Sequence, residues 1–379
     1  MSESVGKKIL CIVGPRPNFM KIAPVIRALN NAQHPFKVCL LHTGQHYDAA
    51  MKQSFFEQLH IPEPDVDLGV GSGSHAFQTA EIMKRFEPVM DDLDPDAILV
   101  VGDVNSTIAC ALVASKKAVP IIHVEAGLRS GDRTMPEEIN RVLTDQISDL
   151  LLTTERSAAQ NLMREGVSAD KIHFVGNVMI DTLRYNLKNA VPFGDVITDC
   201  LGAERAGSIG ANYGLLTLHR PANVDDPVVL ERLLQTLVDL SEQLPLLFPV
   251  HPRTRQCVDR AGLNQLIADS QLYLMPPQAY LNMLGLMQGA RLMMTDSGGI
   301  QEETTALGVP CITLRENTER PITVEEGSNT IVGSDPEKIK LCFNDIIHSG
   351  GKAGRTPEFW DGKSAERIAA VIGDWFYNK

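Results

Sequence analysis

Leu292-Met293-Met294-Thr295-Asp296-Ser297-Gly298-Gly299-Ile300-Gln301-Glu302-Glu303 is the stretch on which the fold is read. An apolar run long enough for a short strand ends on an acidic residue, and two glycines open the segment that follows. Glycine lets backbone N–H groups approach a ligand closely, and a helix N-terminus favours an anion such as phosphate. Ser297 adds a hydroxyl donor, and Glu302 or Glu303, one turn in, is placed to accept hydrogen bonds from ribose hydroxyls. A tight glycine turn kept for packing alone would read the same way.

Outward from this unit, the same strand-then-helix pattern recurs along the chain. Candidate strands of the first half are Ile9–Val13, Lys37–His42, Ala97–Val101, Pro120–Val124, Leu150–Thr153 and His173–Val175. Those of the second half are Gly214–Leu218, Leu246–Val250, Leu272–Met275, Leu292–Thr295, Pro310–Leu314 and Thr330–Val332. Several are nearly all apolar, as strands of a parallel sheet covered on both faces must be. Between them, Met20–Asn30 puts Ile22, Val25, Ile26 and Leu29 on one helical face, and Val228–Leu244 repeats leucine at helical spacing. The fold class is therefore α/β, with two Rossmann-like doubly wound sheets. At 379 residues the chain exceeds the usual size of one core, which also favours two domains. The boundary is expected between Asn186 and Ala211, where Pro192, Gly194, Gly202, Gly207 and Gly210 read as a linker. The expected domains are residues 1–186 and 187–360, facing each other across a cleft, followed by a helical segment at 361–379.

Open α/β sheets bind ligands beyond the carboxyl ends of their strands. Chemistry-bearing residues are dense there. Gly14-Pro15-Arg16-Pro17-Asn18 follows the first strand, where a dinucleotide fold would carry GxGxxG; the prolines and the Arg16/Lys21 pair point to an anion instead of NAD, or to a solvated turn. Asp103 follows the third strand, as a functional carboxylate or a helix N-cap. Glu125 closes an apolar strand, where an unpaired charge is costly. Glu137 and Glu138 open a later helix, where they also complement its dipole. Carboxylates sharing one low-dielectric site push their pKa values apart, which acid–base chemistry requires. In the second half, His219-Arg220 and His251-Pro252-Arg253 follow strands. No third ligand stands at metal spacing from the two histidines, so no metal is expected. Arg315 and Arg320 add cations after a further strand. Gly69–Ser74 reads as a flexible loop, and Thr43–Asp48 as a segment able to line the cleft or form a lid.

The net charge of −12 argues against a nucleic-acid binder, which wants a basic face. The longest apolar runs fall short of a membrane span, and no signal peptide is visible. The seven cysteines are scattered and form no CxxC pair, which points to reduced thiols in a cytoplasmic protein.

In order along the chain, Arg16-Pro17…Lys21, Gly102-Asp103, His123-Val124-Glu125-Ala126-Gly127-Leu128-Arg129, Pro136-Glu137-Glu138, Gly176-Asn177, His219-Arg220, Asp296–Glu303 and Thr318-Glu319-Arg320-Pro321 resemble the non-hydrolysing UDP-N-acetylglucosamine 2-epimerases. The resemblance spans nearly the whole chain. It implies a glycosyltransferase type B-like fold with the final helix packing on the first domain, and a homodimer. It implies epimerisation at C2 by loss and re-addition of UDP through a 2-acetamidoglucal, without a redox cofactor. It implies that Asp103, Glu125, Glu137 and His219 are catalytic, and that Arg16, Lys21, His251, Ser297, Gly298, Gly299, Glu303 and Arg320 bind the UDP-sugar. The chain departs from the family pattern at Asn18, at Pro221-Ala222, at Asp48, and in a loop between Arg129 and Pro136 that is two residues shorter than the typical form. Residues 71–79 also lack an arginine that in many members helps hold a second, activating substrate. The alternatives are the same chemistry on a 2,3-diacetamido uronic acid donor, or a hydrolysing epimerase that releases UDP. A glycosyltransferase of the same fold would need an acceptor site and only one base.

Overall fold

The computed structural model describes residues 6–34, 36–44 and 62–377, except for the side chain of Arg16. Contacts divide the chain into two units, Met1–Tyr185 with Glu358–Lys379, and Asn186–Pro357.

The first unit is built on a seven-stranded sheet in the order β3-β2-β1-β4-β5-β6-β7. Its strands are β1 (Lys7–Val13), β2 (Phe36–His42), β3 (Val66–Asp67), β4 (Ala97–Val101), β5 (Ile121–Ala126), β6 (Leu150–Thr153) and β7 (Ile172–Phe174). All pairings are parallel. Every residue of β4 and β5 is buried, as two-sided coverage demands. Leu10, Ile12, Ile98 and Val100 meet Ile82 and Phe86 of the helix His75–Leu93 in one core. Two-residue β3 is the strand that the sequence pattern misses; it is too short to show alternation. Gly69–Ser74 leads into that helix, which Ser74 caps by accepting the Phe77 N–H. Residues 45–48 lie outside the described residues.

The second unit carries a six-stranded parallel sheet in the order β10-β9-β8-β11-β12-β13. Its strands are β8 (Gly214–Thr217), β9 (Leu246–Pro249), β10 (Leu272–Met275), β11 (Leu292–Thr295), β12 (Cys311–Thr313) and β13 (Asn329–Ile331). The helix Pro227–Ser241 buries Leu230, Leu233, Leu234, Leu237 and Leu240 against it. In both sheets the strand order reverses at one point, between β1 and β4 and between β8 and β11. Loops at that switch point leave in opposite directions and open a crevice for a ligand.

The stretch read as a linker, 186–211, is instead mostly helical, over Phe193–Leu201 and Ala203–Ile209. Its glycines punctuate helices: Gly202, at φ +87°, ends one and begins the next, and Gly210 ends the second.

The final segment packs inside the first unit, the helix Ser364–Tyr377 lying against Arg16–Asn30. Gly176 makes room for its entry, because a Cβ there would lie 2.3 Å from the Phe359 carbonyl oxygen. The carboxylate of Asp181 then caps the helix from outside, accepting from Ser364 N (3.1 Å) and Ala365 N (2.7 Å). Asp181→Ala leaves two helix N–H groups without their acceptor and should lower stability by about 1–3 kcal/mol. Urea denaturation would show it as a lower midpoint, with a smaller loss for Asp181→Asn, which keeps one acceptor oxygen.

Candidate active site

In the first unit Lys21, Asp103 and Glu125 stand at or just beyond the carboxyl ends of β1, β4 and β5. The turn after β1 is pinned by Asn18, which accepts from Gly14 N (3.1 Å) and donates to the carbonyl of Val101 at the end of β4 (3.1 Å). The departure from the family pattern at this position is thus a buried strut between the two central strands. Gly14 admits no side chain, since a Cβ would stand 2.2 Å from Ser106 Oγ. One turn into the helix, Lys21 is buried, and its Nζ lies 2.6 Å from Glu125 Oε2. Glu125 sits at an irregularity in β5, between Val124 and Ala126, with φ +71°. A non-glycine residue in that region is strained, and such strain concentrates at functional sites.

Asp103 does not cap the next helix. That helix begins at Asn105 after Val104, and the Asp103 carboxylate pairs instead with buried Arg141. Asn140, the residue before Arg141, donates to the Asp103 carbonyl (3.0 Å). Arg141 also binds Glu138, whose carboxylate accepts from Ser130 N and Gly131 N, both at 3.0 Å. The shortened loop before the helix Pro136–Ile147 is therefore held by Glu138, while neighbouring Glu137 stays half-exposed. A further buried network supports Glu125 from behind. His123 Nδ1 lies 2.7 Å from Asp145, His123 Nε2 lies 2.9 Å from the Gly102 carbonyl, and Asp145 also holds Gly127 N (3.1 Å) and Arg129 (2.8 Å). Gly102, the residue before Asp103, lies against Lys21, since a Cβ there would stand 3.1 Å from Lys21 Nζ.

In the second unit the corresponding switch point is organised by Asp296, which is fully buried. It accepts from the backbone N–H of His219 (3.0 Å) and of Arg220 (2.9 Å), and from Asn223 Nδ2 (3.1 Å). Its other oxygen lies 2.9 Å from His219 Nδ1. Burial pushes this carboxyl up, but His219 and the two backbone donors more than offset it and hold it below the usual carboxylate range. His251 caps its own helix, its Nδ1 accepting from Arg253 N (3.2 Å), and its ring centroid lies 6.3 Å from that of His219. Burial, His219 and Arg253 lower its pKa.

Ser297 is the N-cap of the helix Gly298–Leu307 and makes no side-chain cap bond, so its hydroxyl is not spent on the helix's own amides. Gly298 is confined, since a Cβ would be 2.9 Å from Glu319 Oε1. One turn in, the two acidic residues have separate partners. Glu302 pairs with Arg320 Nε (2.7 Å), and Glu303 accepts from Tyr280 Oη (3.0 Å). Glu319 lies between Arg315 (2.8 Å) and Arg220 (3.6 Å). Arg16 opens its helix, but its side chain lies outside the described residues.

Two doubly wound sheets, one with strand-end carboxylates and one with a glycine-opened helix at its switch point, define a nucleotide-sugar enzyme of the glycosyltransferase type B-like class. The family model described as UDP-N-acetylglucosamine 2-epimerase matches residues 27–373, and the chain belongs to that family. It is 43% identical over 368 residues to the UDP-N-acetylglucosamine 2-epimerase of Methanococcus maripaludis, covering 96% of this chain and 98% of the relative. It is also 43% identical over 373 residues to the UDP-2,3-diacetamido-2,3-dideoxy-D-glucuronate 2-epimerase of Pseudomonas aeruginosa, covering 96% and 99%. The crystal structure of Methanocaldococcus jannaschii UDP-GlcNAc 2-epimerase in complex with UDP-GlcNAc and UDP superposes with a TM-score of 0.85 at 41% identity, covering 96% of this chain and 99% of that one.

Sequence reasoning passed over Asn18, Glu138, Arg141 and Asp145 as working parts, and quoted Asp296 without giving it a role. Asp296 carries the signature that drew attention to Glu125, an acidic residue closing an apolar strand. Arg141 and Asp145 look like the polar face of an amphipathic helix, yet they are 2% and 1% exposed.

Glu319 makes the site's ion pairs testable by pH. Burial raises its pKa, but Arg320 and Arg315 outweigh that and bring it from 4.5 down to about 2. The folded value lies below the unfolded one, so the carboxylate stabilises the fold above about pH 4.5 and loses that contribution as pH falls toward 2. Glu319→Gln should lower the urea midpoint at pH 7, by a free energy on the order of 3 kcal/mol, and the gap to wild type should narrow by roughly half as pH falls from 4.5 to 3.

Proposed function

We propose that the protein inverts C2 of UDP-N-acetylglucosamine to give UDP-N-acetylmannosamine, a sugar nucleotide for polysaccharide assembly. The observation that carries this reading is the carboxylate set of the first unit, with Asp103 and Glu125 each held by a buried cation at the switch point and Glu137 one turn from Arg141. Inversion requires a proton to leave one face of C2 and another to return to the opposite face, so it needs more than one acid–base group. A carboxylate takes the C2 proton while the C1–O bond breaks and its electron pair leaves with UDP, forming the C1=C2 bond of 2-acetamidoglucal. A proton then returns to C2 from the other face, and UDP adds back to C1. The steps cancel in electrons, so no redox cofactor takes part.

In this reading the first unit supplies Asp103, Glu125 and Glu137, and Lys21 balances the charge of Glu125. Arg16, at a helix N-terminus, acts on the diphosphate. The second unit supplies the nucleotide side. The amides of Gly298 and Gly299 and the Ser297 hydroxyl receive a phosphate, Glu303 takes the ribose, His251 lines the site, and Arg320 steadies the helix through Glu302. His219 assists departure of UDP. The same chemistry on a diacetamido uronic acid donor is the second reading, favoured by the equal 43% identity to the Pseudomonas enzyme.

Proton NMR with UDP-N-acetylglucosamine in D₂O tests it. The expected product is UDP-N-acetylmannosamine deuterated at C2. Free N-acetylmannosamine plus UDP would indicate hydrolysis, and no reaction would send the test to the diacetamido donor. Asp103→Asn, Glu125→Gln and Glu137→Gln should each lower kcat by about 10²-fold or more with UDP affinity nearly unchanged.

We also infer a homodimer in a reducing, cytoplasmic setting. All seven cysteines are free thiols, and no described helix is long and apolar enough to cross a membrane. Ile139 and Leu143 lie one turn apart on the helix Pro136–Ile147, 42% and 49% exposed, and an apolar face of this kind suits a second copy of the chain. Leu143→Glu should shift the protein from dimer to monomer in analytical ultracentrifugation; a wild-type monomer would overturn the inference.

A further inference from the structure

We propose that Asp296 is a positioning residue for the reaction, fixing the His219 imidazole through Nδ1 so that Nε2 is the ring nitrogen offered to the departing diphosphate. The proposal rests on the epimerase reading above. Asp296 follows β11, its carboxylate is wholly buried, and it grips the β8 loop in two ways at once. One grip is on the chain, through the backbone N–H of His219 and Arg220 and the side chain of Asn223. The other is on the imidazole, at 2.9 Å from Nδ1. Asn223 is itself anchored to the Leu314 carbonyl (2.9 Å), so the carboxylate cannot turn away.

A carboxylate accepts and does not donate, so the hydrogen between the two groups sits on Nδ1. The ring is 40% exposed while its partner is not, which leaves Nε2 for substrate. His251 does not compete for the carboxylate, because its own Nδ1 is occupied by the Arg253 N–H. When the C1–O bond breaks, negative charge develops on the diphosphate oxygen. In the imidazolium form, with a hydrogen on each ring nitrogen, Nε2 donates its proton to that oxygen, and the ring is left neutral with its remaining hydrogen on Nδ1, where Asp296 accepts it. The carboxylate touches neither substrate nor reacting atom; it acts through His219. An orienting carboxylate behind a catalytic histidine is worth about 10⁴-fold in kcat when replaced by the amide in a serine protease, because the amide favours the wrong tautomer.

The test is Asp296→Asn, compared with wild type in UDP affinity, kcat, thermal stability and the ¹⁵N NMR signals of His219. The expected result is a folded variant that binds UDP within a few-fold of wild type, with kcat lower by about 10²–10⁴-fold and the His219 ring signals moved away from the Nδ1-protonated form. Unchanged kcat would overturn the proposal. So would a loss of UDP affinity and stability in step with kcat while the ring signals stay put, since that is the mark of a scaffold residue alone. If the variant does not fold, the wild-type spectrum decides, and a neutral His219 ring protonated at Nε2 overturns the proposal. If wild-type protein leaves every UDP-sugar unchanged, the epimerase reading fails, while the ring signals still judge the Asp296–His219 pair.

Discussion

A carboxylate at the end of a fully buried strand has to find its compensation within its own unit, and both switch points are built around that constraint. Leaving such a charge unpaired would cost several kcal/mol, because nearby water is scarce. Glu125 meets the requirement with Lys21, and Asp296 with His219, Asn223 and two backbone amides. Lys21 comes from the helix after β1, two strands away from β5, and the partners of Asp296 come from the segment after β8, the neighbour of β11. Compensating the charge therefore also ties the helix after β1 to β5 and the segment after β8 to β11, and the contacts that make these burials tolerable also fix the position of Glu125 and His219.

The two units solve different problems with one topology. In the first, cations pair with carboxylates: Lys21 with Glu125, Arg141 with Asp103 and Glu138, Arg129 with Asp145. Asp103 and Glu125 are each held in direction by a buried cation. In the second, the helix at the switch point begins with two glycines and a cap whose hydroxyl makes no cap bond, so its first amides face outward as donors. The buried acids behind it, Glu302 and Glu319, are absorbed by arginines. Their charge is thereby offset beside the first amides of the helix.

Much of the fold was legible in the order of residues, because hydrophobic runs mark buried parallel strands. Asp103, Glu125, His219 and Ser297 stand out in the sequence because they lie at or just beyond the ends of such runs, and the structure places them there. The pairing of those groups was not legible. Asp103 could be a helix cap by sequence, and becomes an arginine partner only when the helix Pro136–Ile147 lies across the β4 loop. Glu137 and Glu138 are adjacent and alike, yet Glu138 faces inward to Arg141 and two backbone amides while Glu137 does not. The glycines of 186–211 read as a linker because Gly signals a break without saying whether the break separates domains or ends a helix.

The amino-acid sequence by itself determined the alternation of strands and helices, the class of fold and the strand ends at which charged and polar side chains collect, since these follow from local periodicity and from the need to bury apolar runs. Tertiary structure alone decided which buried charge meets which, and therefore which acids are clamped and which one orients a histidine. Such pairs join residues far apart in the chain, as Lys21 is from Glu125 and His219 from Asp296, and local sequence carries no information about a partner that only strand order brings within hydrogen-bond distance.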